Sequence, residues 1–401
     1  MKLFNNIYKF NNKNKLNSFS DVIRKVALVS ISFGLFSVLV SSFILSGFKN
    51  EIKRKIYDFS GHYNISNYSN GLSFKNSPIN LSAGLSINHK KIQQIKSVDP
   101  YILNSALIQG RENVLEGVIF KGIEKKYLNN IKYHIDDIAV NFNLNNSIIL
   151  SNSLSKKLKV DQNDTVTLFF PNEPPVFRKL LVVGIYNTGL EEIDDMTVFG
   201  SIDLSRKLYK WDNNKASGLH VFVNDGLNDK TLFDEIKNNT SYDEYVEATD
   251  SKYIQIFDWL SLLDKNVIIF FIIIVLVACF NMVSIIFILI IEKTNLIGTL
   301  KSFGAKRNII YNIFFNVGIK ITVYGMLLGN LLSFIIIYLQ NNFKLFNLDK
   351  ENYYIDHIPM EFTIFNVLII NIIMFALMLF SISIPIIYID RIRVINSIKF
   401  S

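Results

Sequence analysis

One cysteine in 401 residues, Cys279, leaves no partner for a disulfide, so no disulfide framework holds this chain together. There is no Cys-x-x-Cys or Cys/His spacing to suggest a metal site, and one cysteine says nothing about compartment. Also missing are a Gly-x4-Gly-Lys-Ser/Thr phosphate loop, a Gly-x-Ser-x-Gly nucleophile elbow and a His-Glu-x-x-His zinc motif. The five histidines, His62, His89, His134, His220 and His357, are scattered without ligand spacing and read as surface or half-buried polar residues. No nucleophile stands beside a base, so no catalytic residue is assigned and the chain does not read as an enzyme. The 42 basic and 34 acidic residues leave +8. That excess sits partly at membrane borders, where cations meet anionic lipid heads, and nothing else in the sequence points to nucleic acid.

What the chain has in abundance is long apolar stretches: 26–47, 266–291, 311–338 and 362–389. Each exceeds the roughly 20 residues a helix needs to cross a bilayer. The first follows a basic segment that includes Arg24 and Lys25, as in a signal peptide. It is too long for one and no Ala-x-Ala site follows, so it reads as an uncleaved span. The flanks of this span tie in charge, and the short loops decide orientation. The 292–310 loop carries Lys293, Lys301, Lys306 and Arg307 against Glu292, and the 390–401 tail adds Arg391, Arg393 and Lys399. The 339–361 loop is acidic on balance, with Asp349, Glu351, Asp356 and Glu361. The 1–25 segment, the 292–310 loop and the tail are therefore expected in the cytoplasm, and the 48–265 domain outside.

The chain thus reads as an integral membrane α-helical protein with four transmembrane helices in a 1 + 3 layout and a large outer α+β domain. Phe48, Ile52, Ile56 and Phe59 keep helical spacing, predicting a leg helix over 48–60 that continues the first span. Ile256, Trp259, Leu260 and Leu263 predict a second leg over 251–265. Between them the sequence predicts strands near His62–Asn67, Ile102–Gln109, Val114–Lys121, Leu219–Asn224 and Glu244–Ala248, with helices near Ile87–Ile95 and Leu227–Lys237. That order resembles a porter-like split βαβ unit, over 61–124 and 216–250. A β-rich subdomain over 125–215 interrupts it, with strands at Ser147–Leu150, Thr165–Phe170 and Lys179–Tyr186.

The spans read as free of mid-span charge, which weighs against an ion-coupled carrier; Asn281, Asn316, Asn330 and Asn371 are expected to bond between packed helices. Glu191, Glu192, Asp194 and Asp195 follow Gly189 and read as a solvated acidic turn. The inner loop is more specific. Leu296, Ile297, Leu300 and Phe303 make one apolar stripe, and Gly304 suits a left-handed helix end before Lys306 and Arg307. Such a helix can lie on the membrane surface or insert its stripe into a groove of another protein.

The run Glu292-Lys-Thr-Asn-Leu-Ile-Gly-Thr-Leu-Lys-Ser-Phe-Gly-Ala-Lys-Arg307 resembles the coupling loop of ABC permeases of the FtsX/MacB-like class. Glu292, Lys293, Ile297, Gly298, Leu300, Lys301, Gly304 and Ala305 carry the match. Softer matches narrow the resemblance to the lipoprotein-releasing, Lol-type (LolC/LolE-like) permeases: Ser46-Gly-Phe-Lys-Asn-Glu51, the Gly61-His62 step, Gly184-Ile-Tyr-Asn-Thr-Gly-Leu-Glu-Glu192 and Tyr353-Tyr-Ile-Asp-His-Ile-Pro359.

The resemblance implies a permease subunit of the bacterial inner membrane, with a periplasmic outer domain and no cofactor of its own. ATP and magnesium would sit on a separate ABC ATPase docked on the 292–307 helix, with Leu296 and Phe303 in that contact beside the matched residues. A second permease copy or paralogue, a lipoprotein substrate, a periplasmic lipoprotein carrier and membrane lipids are the implied partners. Phe33, Phe36 and Phe43 are expected to line a lipid cavity between paired subunits. A hairpin with Pro171, Glu173, Pro174, Pro175 and Arg178 at its tip is the position matching the family's carrier-binding hook. The alternatives are an exporter of small amphiphiles or peptides, and a non-transporting relay that regulates a cell-wall hydrolase.

Overall fold

The computed structural model describes residues 19–71, 77–83, 92–136, 146–224, 230–348 and 357–387. In chain order its main elements are α1 (Phe19–Ser60), β1 (Tyr63–Asn67), β2 (Ile79–Asn80), β3 (Ile95–Gln109), β4 (Leu115–Ile123) and β5 (Ile135–Asp136). There follow β6 (Ser147–Ser151), α2 (Asn152–Leu158), β7 (Thr165–Phe170), β8 (Val176–Tyr186), β9 (Thr197–Ser201) and α3 (Ile202–Tyr209). Next come β10 (Lys215–Ala216), β11 (Gly218–Val223), α4 (Lys230–Asn238) and β12 (Glu244–Ala248). Last are α5 (Ile254–Glu292), α6 (Thr294–Ser302), α7 (Arg307–Phe343) and α8 (Ile364–Ile387). The chain divides into two compact units. One takes the residues up to Lys49 with Leu260–Asn347 and the segment from His357, and the other takes Asn50–Trp259 with 348–356.

The first unit is a helical bundle. Parts of α1, α5, α7 and α8 are long and apolar enough to cross a membrane. Ala27, Ile31, Leu35, Leu39 and Phe43 recur every four residues along α1 and are all buried, giving one inward stripe. They meet Val275, Met282, Ile286 and Ile290 of α5, Phe314 and Ile321 of α7, and Met374, Met378 and Ile382 of α8. Apolar lipid tails give helices no hydrophobic reason to associate, so close packing and buried polar bonds must hold the bundle. Gly318, Gly325 and Gly329 provide the packing: a Cβ there would meet Ile382, Ile31 and the Ser32 carbonyl at 2.9, 3.0 and 2.8 Å. Asn330 and Asn371 exchange side-chain hydrogen bonds of 2.8 and 3.0 Å between α7 and α8, and Asn281 donates to Ser30 at 2.8 Å.

The reading of the spans as uncharged needs correction at Lys320, which lies within α7 among apolar neighbours and is exposed. Averaging over a long apolar run hides one cation. Asn316 also departs from expectation: it is exposed on α7 rather than bonded between helices.

The second unit is built on one ten-stranded sheet, ordered β12-β1-β11-β3-β4-β9-β6-β8-β5, with β7 pairing both β3 and β8. At one end β12, β1, β11 and β3 are antiparallel neighbours, the order of a split βαβ unit. Leu232 and Ile236 of α4 join the core beneath it. The helix expected near Ile87–Ile95 lies largely outside the described residues, and Ile95 itself opens β3. At the other end β3, β4, β9, β6, β8 and β7 close a ring around Ile108, Phe120, Leu150, Leu168 and Val182. The strands β5 to β9 of the 125–215 segment therefore belong to this same sheet. The 15-residue β3 pairs with β11 through its first half and with β7 through its last residues, so both halves share it.

The end of α1 is fixed inside this unit. Gly61 takes φ +69 and donates its N–H to the Tyr57 carbonyl at 2.8 Å, stopping the helix as a left-handed residue does. The freed Phe59 carbonyl accepts from the Tyr127 hydroxyl at 2.6 Å and the Lys121 amine at 2.9 Å. Burial holds that amine well below the usual lysine range. His62 stacks on Tyr57 at 4.3 Å and accepts the Val223 N–H through Nδ1 at 3.3 Å. Burial lowers its pKa to about 4, against the weaker pull of the Asp58 and Asp250 carboxylates. An unfolded histidine titrates near 6.5, so the unfolded chain takes up this proton first as pH falls. Stability contributed by neutral His62 is complete above about pH 6.5 and is lost as pH falls to about 4, at most about 3 kcal/mol. Thermal unfolding from pH 7 to pH 4 is expected to show that loss, and His62→Gln is expected to flatten it.

Candidate functional site

The link from α5 to α7 is built from short-range hydrogen bonds. Lys293 leaves helical geometry at φ −98 and ψ 20, separating α5 from α6 by one residue. The Ile297 N–H donates to the Lys293 carbonyl at 3.0 Å and starts α6. At its other end the Ala305 N–H donates to the Leu300 carbonyl at 2.9 Å and the Gly304 N–H to the Lys301 carbonyl at 3.0 Å. With Gly304 at φ +77, this pair of bonds is a Schellman termination. Leu300 and Ala305, the positions that make its accompanying apolar contact, both pack on the bundle core. That gives a physical role to the Gly-Ala pair.

The apolar stripe expected on α6 divides in two. Ile297 is fully buried, Gly298 is buried, and Leu296 and Leu300 are half-buried. Phe303 is 83 % exposed, a large apolar ring standing at the end of the helix. Glu292 and Lys293 pair at 3.2 Å, and Lys301 lies half-buried in the last turn. One side of α6 thus holds the helix to its own bundle, while Phe303 is left for something else.

The second candidate is the β7–β8 hairpin. Phe170 pairs with Val176, so Pro171, Asn172, Glu173, Pro174 and Pro175 form the connecting loop. Every one of the five but Asn172 is exposed; the Asn172 amide donates to the Leu208 carbonyl at 2.6 Å and ties the tip down. Arg178 is exposed on β8 opposite Leu168. In register across four strands, Gly117, Leu107, Phe169 and Phe177 share one face. Leu107, Leu115, Phe177 and Leu181 are 42, 60, 63 and 40 % exposed there.

The aromatic trio of α1 is split by the structure. Phe33 is exposed and Phe36 half-buried, with ring centroids 6.2 Å apart. Phe43 does not face outward. It is buried in the bundle and packs edge-on against Phe362 at 5.9 Å, because it falls in the inward every-fourth-residue stripe. Among the described residues there is no group of acidic, His and Cys side chains able to hold a metal.

Residues 268–393 match the family described as FtsX-like permease C-terminal, a span that includes α6 and its flanking helices. Over nearly its whole length the chain is also similar to two proteins named lipoprotein-releasing system transmembrane protein LolC. That of Buchnera aphidicola subsp. Schizaphis graminum is 26 % identical, with 93 % of this chain and 92 % of the relative covered. That of Neisseria meningitidis serogroup B is 24 % identical, with 86 % of each covered. Residues 268–393 are thus an FtsX-like permease domain. Among solved structures it is similar to the periplasmic region of MacB from Actinobacillus actinomycetemcomitans, at 15 % identity and a TM-score of 0.36, over 48 % of this chain and 91 % of that one.

Within the permease, the acidic turn proves to be only partly solvated. The buried Asp194 carboxylate accepts from the Thr188 hydroxyl at 2.8 Å, the Gly189 N–H at 2.9 Å and the Thr188 N–H at 3.2 Å. Burial raises its pKa despite these donors. It shapes the 187–190 turn, where Gly189 takes φ +74. Asp194→Ala strands the buried Thr188 N–H and hydroxyl, while the Gly189 N–H keeps the Asn187 side-chain oxygen at 3.0 Å, and is expected to cost about 2–4 kcal/mol, read as a lower Tm of the purified permease. Asn is expected to recover part of that loss.

Reading the sequence of the permease missed the apolar outer face beside the hairpin. A signal was present: β4 places Leu115 and Ile119 on one face and Val118 and Phe120 on the other. A strand apolar on both faces needs covering on both.

Proposed function

We propose that this permease is the membrane subunit of an ATP-driven complex that extracts lipid-anchored proteins from the outer leaflet of the inner membrane and passes them to a periplasmic carrier. The support is the similarity, from one end to the other, to proteins named for lipoprotein release, joined to a helix that presents Phe303 outward. A separate ABC ATPase, holding ATP and magnesium, docks on α6 from the cytoplasm. The bias of Lys301, Lys306 and Arg307 toward that end agrees with the orientation. Two permeases pair, as copies or paralogues, and the exposed Phe33 with Phe36 borders the lipid path between them. The 171–175 tip, Arg178 and the apolar row beside them receive the carrier. The complex has a clear physical task. Each buried lipid CH₂ holds an anchor by about 0.8 kcal/mol, so a multiply acylated protein leaves the bilayer unaided far too slowly.

The test is reconstitution with the ATPase in proteoliposomes holding a triacylated lipoprotein, adding carrier and ATP. The reading expects ATP-dependent appearance of lipoprotein in the soluble fraction. ATP hydrolysis without release would overturn it in favour of an amphiphile exporter or a mechanical relay.

A further inference from the structure

Asn308, Asn312, Asn316, Lys320 and Tyr324 follow one another at four-residue intervals along α7, and all five are exposed. Four residues advance a helix by about 40° beyond a full turn, so the five form one slowly curling stripe about 24 Å long. It runs away from the buried face, where Phe314, Gly318, Ile321, Gly325 and Gly329 meet the other helices. Exposed Val323, Leu327 and Leu331 continue the outer surface beyond it, as lipid contact requires. Among the described residues no carboxylate pairs with Lys320.

The depth of Lys320 is set by counting. It lies 13 residues from Arg307, the first residue of α7, or about 20 Å along the axis. It sits about 7 Å from the middle of the 311–338 apolar stretch, on the α6 side. In a hydrocarbon core about 30 Å thick, that is about 8 Å below the headgroups. Side chains on a helix lean toward its N-terminus, here the α6 end. The lysine stem therefore carries its ammonium back over Asn316, toward Asn312 and the interface. A cation at this depth is retained only if it reaches an anion or the interface. An aqueous anion cannot approach through hydrocarbon, whereas a lipid phosphate hangs at the right level on the open side of the helix.

We propose that this stripe binds the phosphodiester of an anionic phospholipid in the leaflet on the α6 side. Lys320 pairs with the phosphate, the Asn316 and Asn312 amides donate to phosphate and ester oxygens, and the Tyr324 ring lies against an acyl chain. The proposal rests on α7 crossing a bilayer and is independent of what the permease transports.

The probe is phosphatidylglycerol against phosphatidylcholine of matched chains, retained by the purified full-length permease and counted by native mass spectrometry without ATPase or lipoprotein. At least tenfold preference for phosphatidylglycerol is expected. Lys320→Met is expected to abolish it, Asn316→Leu to weaken it and Lys320→Arg to keep it. Lys320→Met removes a charge from a span, so an unchanged Tm separates lost binding from lost folding. Equal preference in the Met variant would overturn the site and leave Lys320 merely reaching for the interface. So would a carbodiimide cross-link between two copies that disappears with Lys320→Met, since a carboxylate of the second copy would then be its partner. A failed release assay leaves the lipid count untouched, so the two readings fail separately.

Discussion

Phe303→Asp is expected to cut ATPase docking and ATP-driven release at least tenfold while leaving the Tm of the permease unchanged. The ring is 83 % exposed, so a carboxylate there meets water in the free protein and costs the fold little. In the proposed complex the same position would be an aromatic anchor, the kind of residue whose loss removes 2 kcal/mol or more of binding, about 30-fold. Ile297→Asp, only six residues away, is expected to behave in the opposite way. Ile297 is fully buried against the bundle, so an unpaired charge there costs several kcal/mol of folding, and expression falls before docking can be measured. Co-purification with the ATPase and thermal unfolding distinguish the two. If Phe303→Asp still docks normally, the exposed end of α6 is not where the ATPase binds.

This contrast also marks where sequence reading stops. The spacing of Leu296, Ile297, Leu300 and Phe303 showed an amphipathic helix, and Gly304 showed its end. Periodicity identifies an apolar side without saying what covers it. Here the bundle itself takes Ile297 and part of Leu300, leaving Phe303 alone. Phe43 repeats the lesson: its place in a five-member inward stripe of α1 was legible, yet it was grouped with Phe33 and Phe36 as lining a lipid cavity between paired subunits. The strands of the outer unit were legible because β7, β11 and β12 alternate or run apolar between turns. The ring joining β3, β4 and β7 was not, since it depends on pairings between residues such as Leu107 and Phe169, 62 positions apart, that no local pattern encodes. Asp194 was read as solvent-facing because acidic residues cluster there, and only the fold turns it inward.

Gly47→Ala tests a contact between two segments singled out separately in the sequence, Ser46-Gly47-Phe48 and His357-Ile358-Pro359. A Cβ on Gly47 would lie 2.4 Å from the Pro359 carbonyl oxygen and 2.6 Å from its carbon, both backbone atoms that cannot rotate away. The segment has little freedom to retreat. The Glu361 N–H donates to the Phe43 carbonyl at 3.1 Å. The fully buried Gln340 holds the same stretch, donating to the Ile358 carbonyl at 2.9 Å and accepting from the Phe346 N–H at 3.0 Å. Two effects compete, and their signs differ. In a free helix Gly→Ala gains about 1 kcal/mol, whereas overpacking a tight contact loses about 1–3 kcal/mol. With the obstacle being backbone, the clash is expected to win and the Tm to fall by several degrees, about 2–4 °C per kcal/mol for a unit of 150–250 residues. Gly117→Ala is the control, because nothing lies within 4 Å of the added methyl. It is expected to leave Tm unchanged or slightly raised. A Gly47→Ala permease that melts as high as wild type, or higher, would mean that α1 and the 357–361 segment do not meet as closely as described. The pairing of those two sequence segments would then need another explanation.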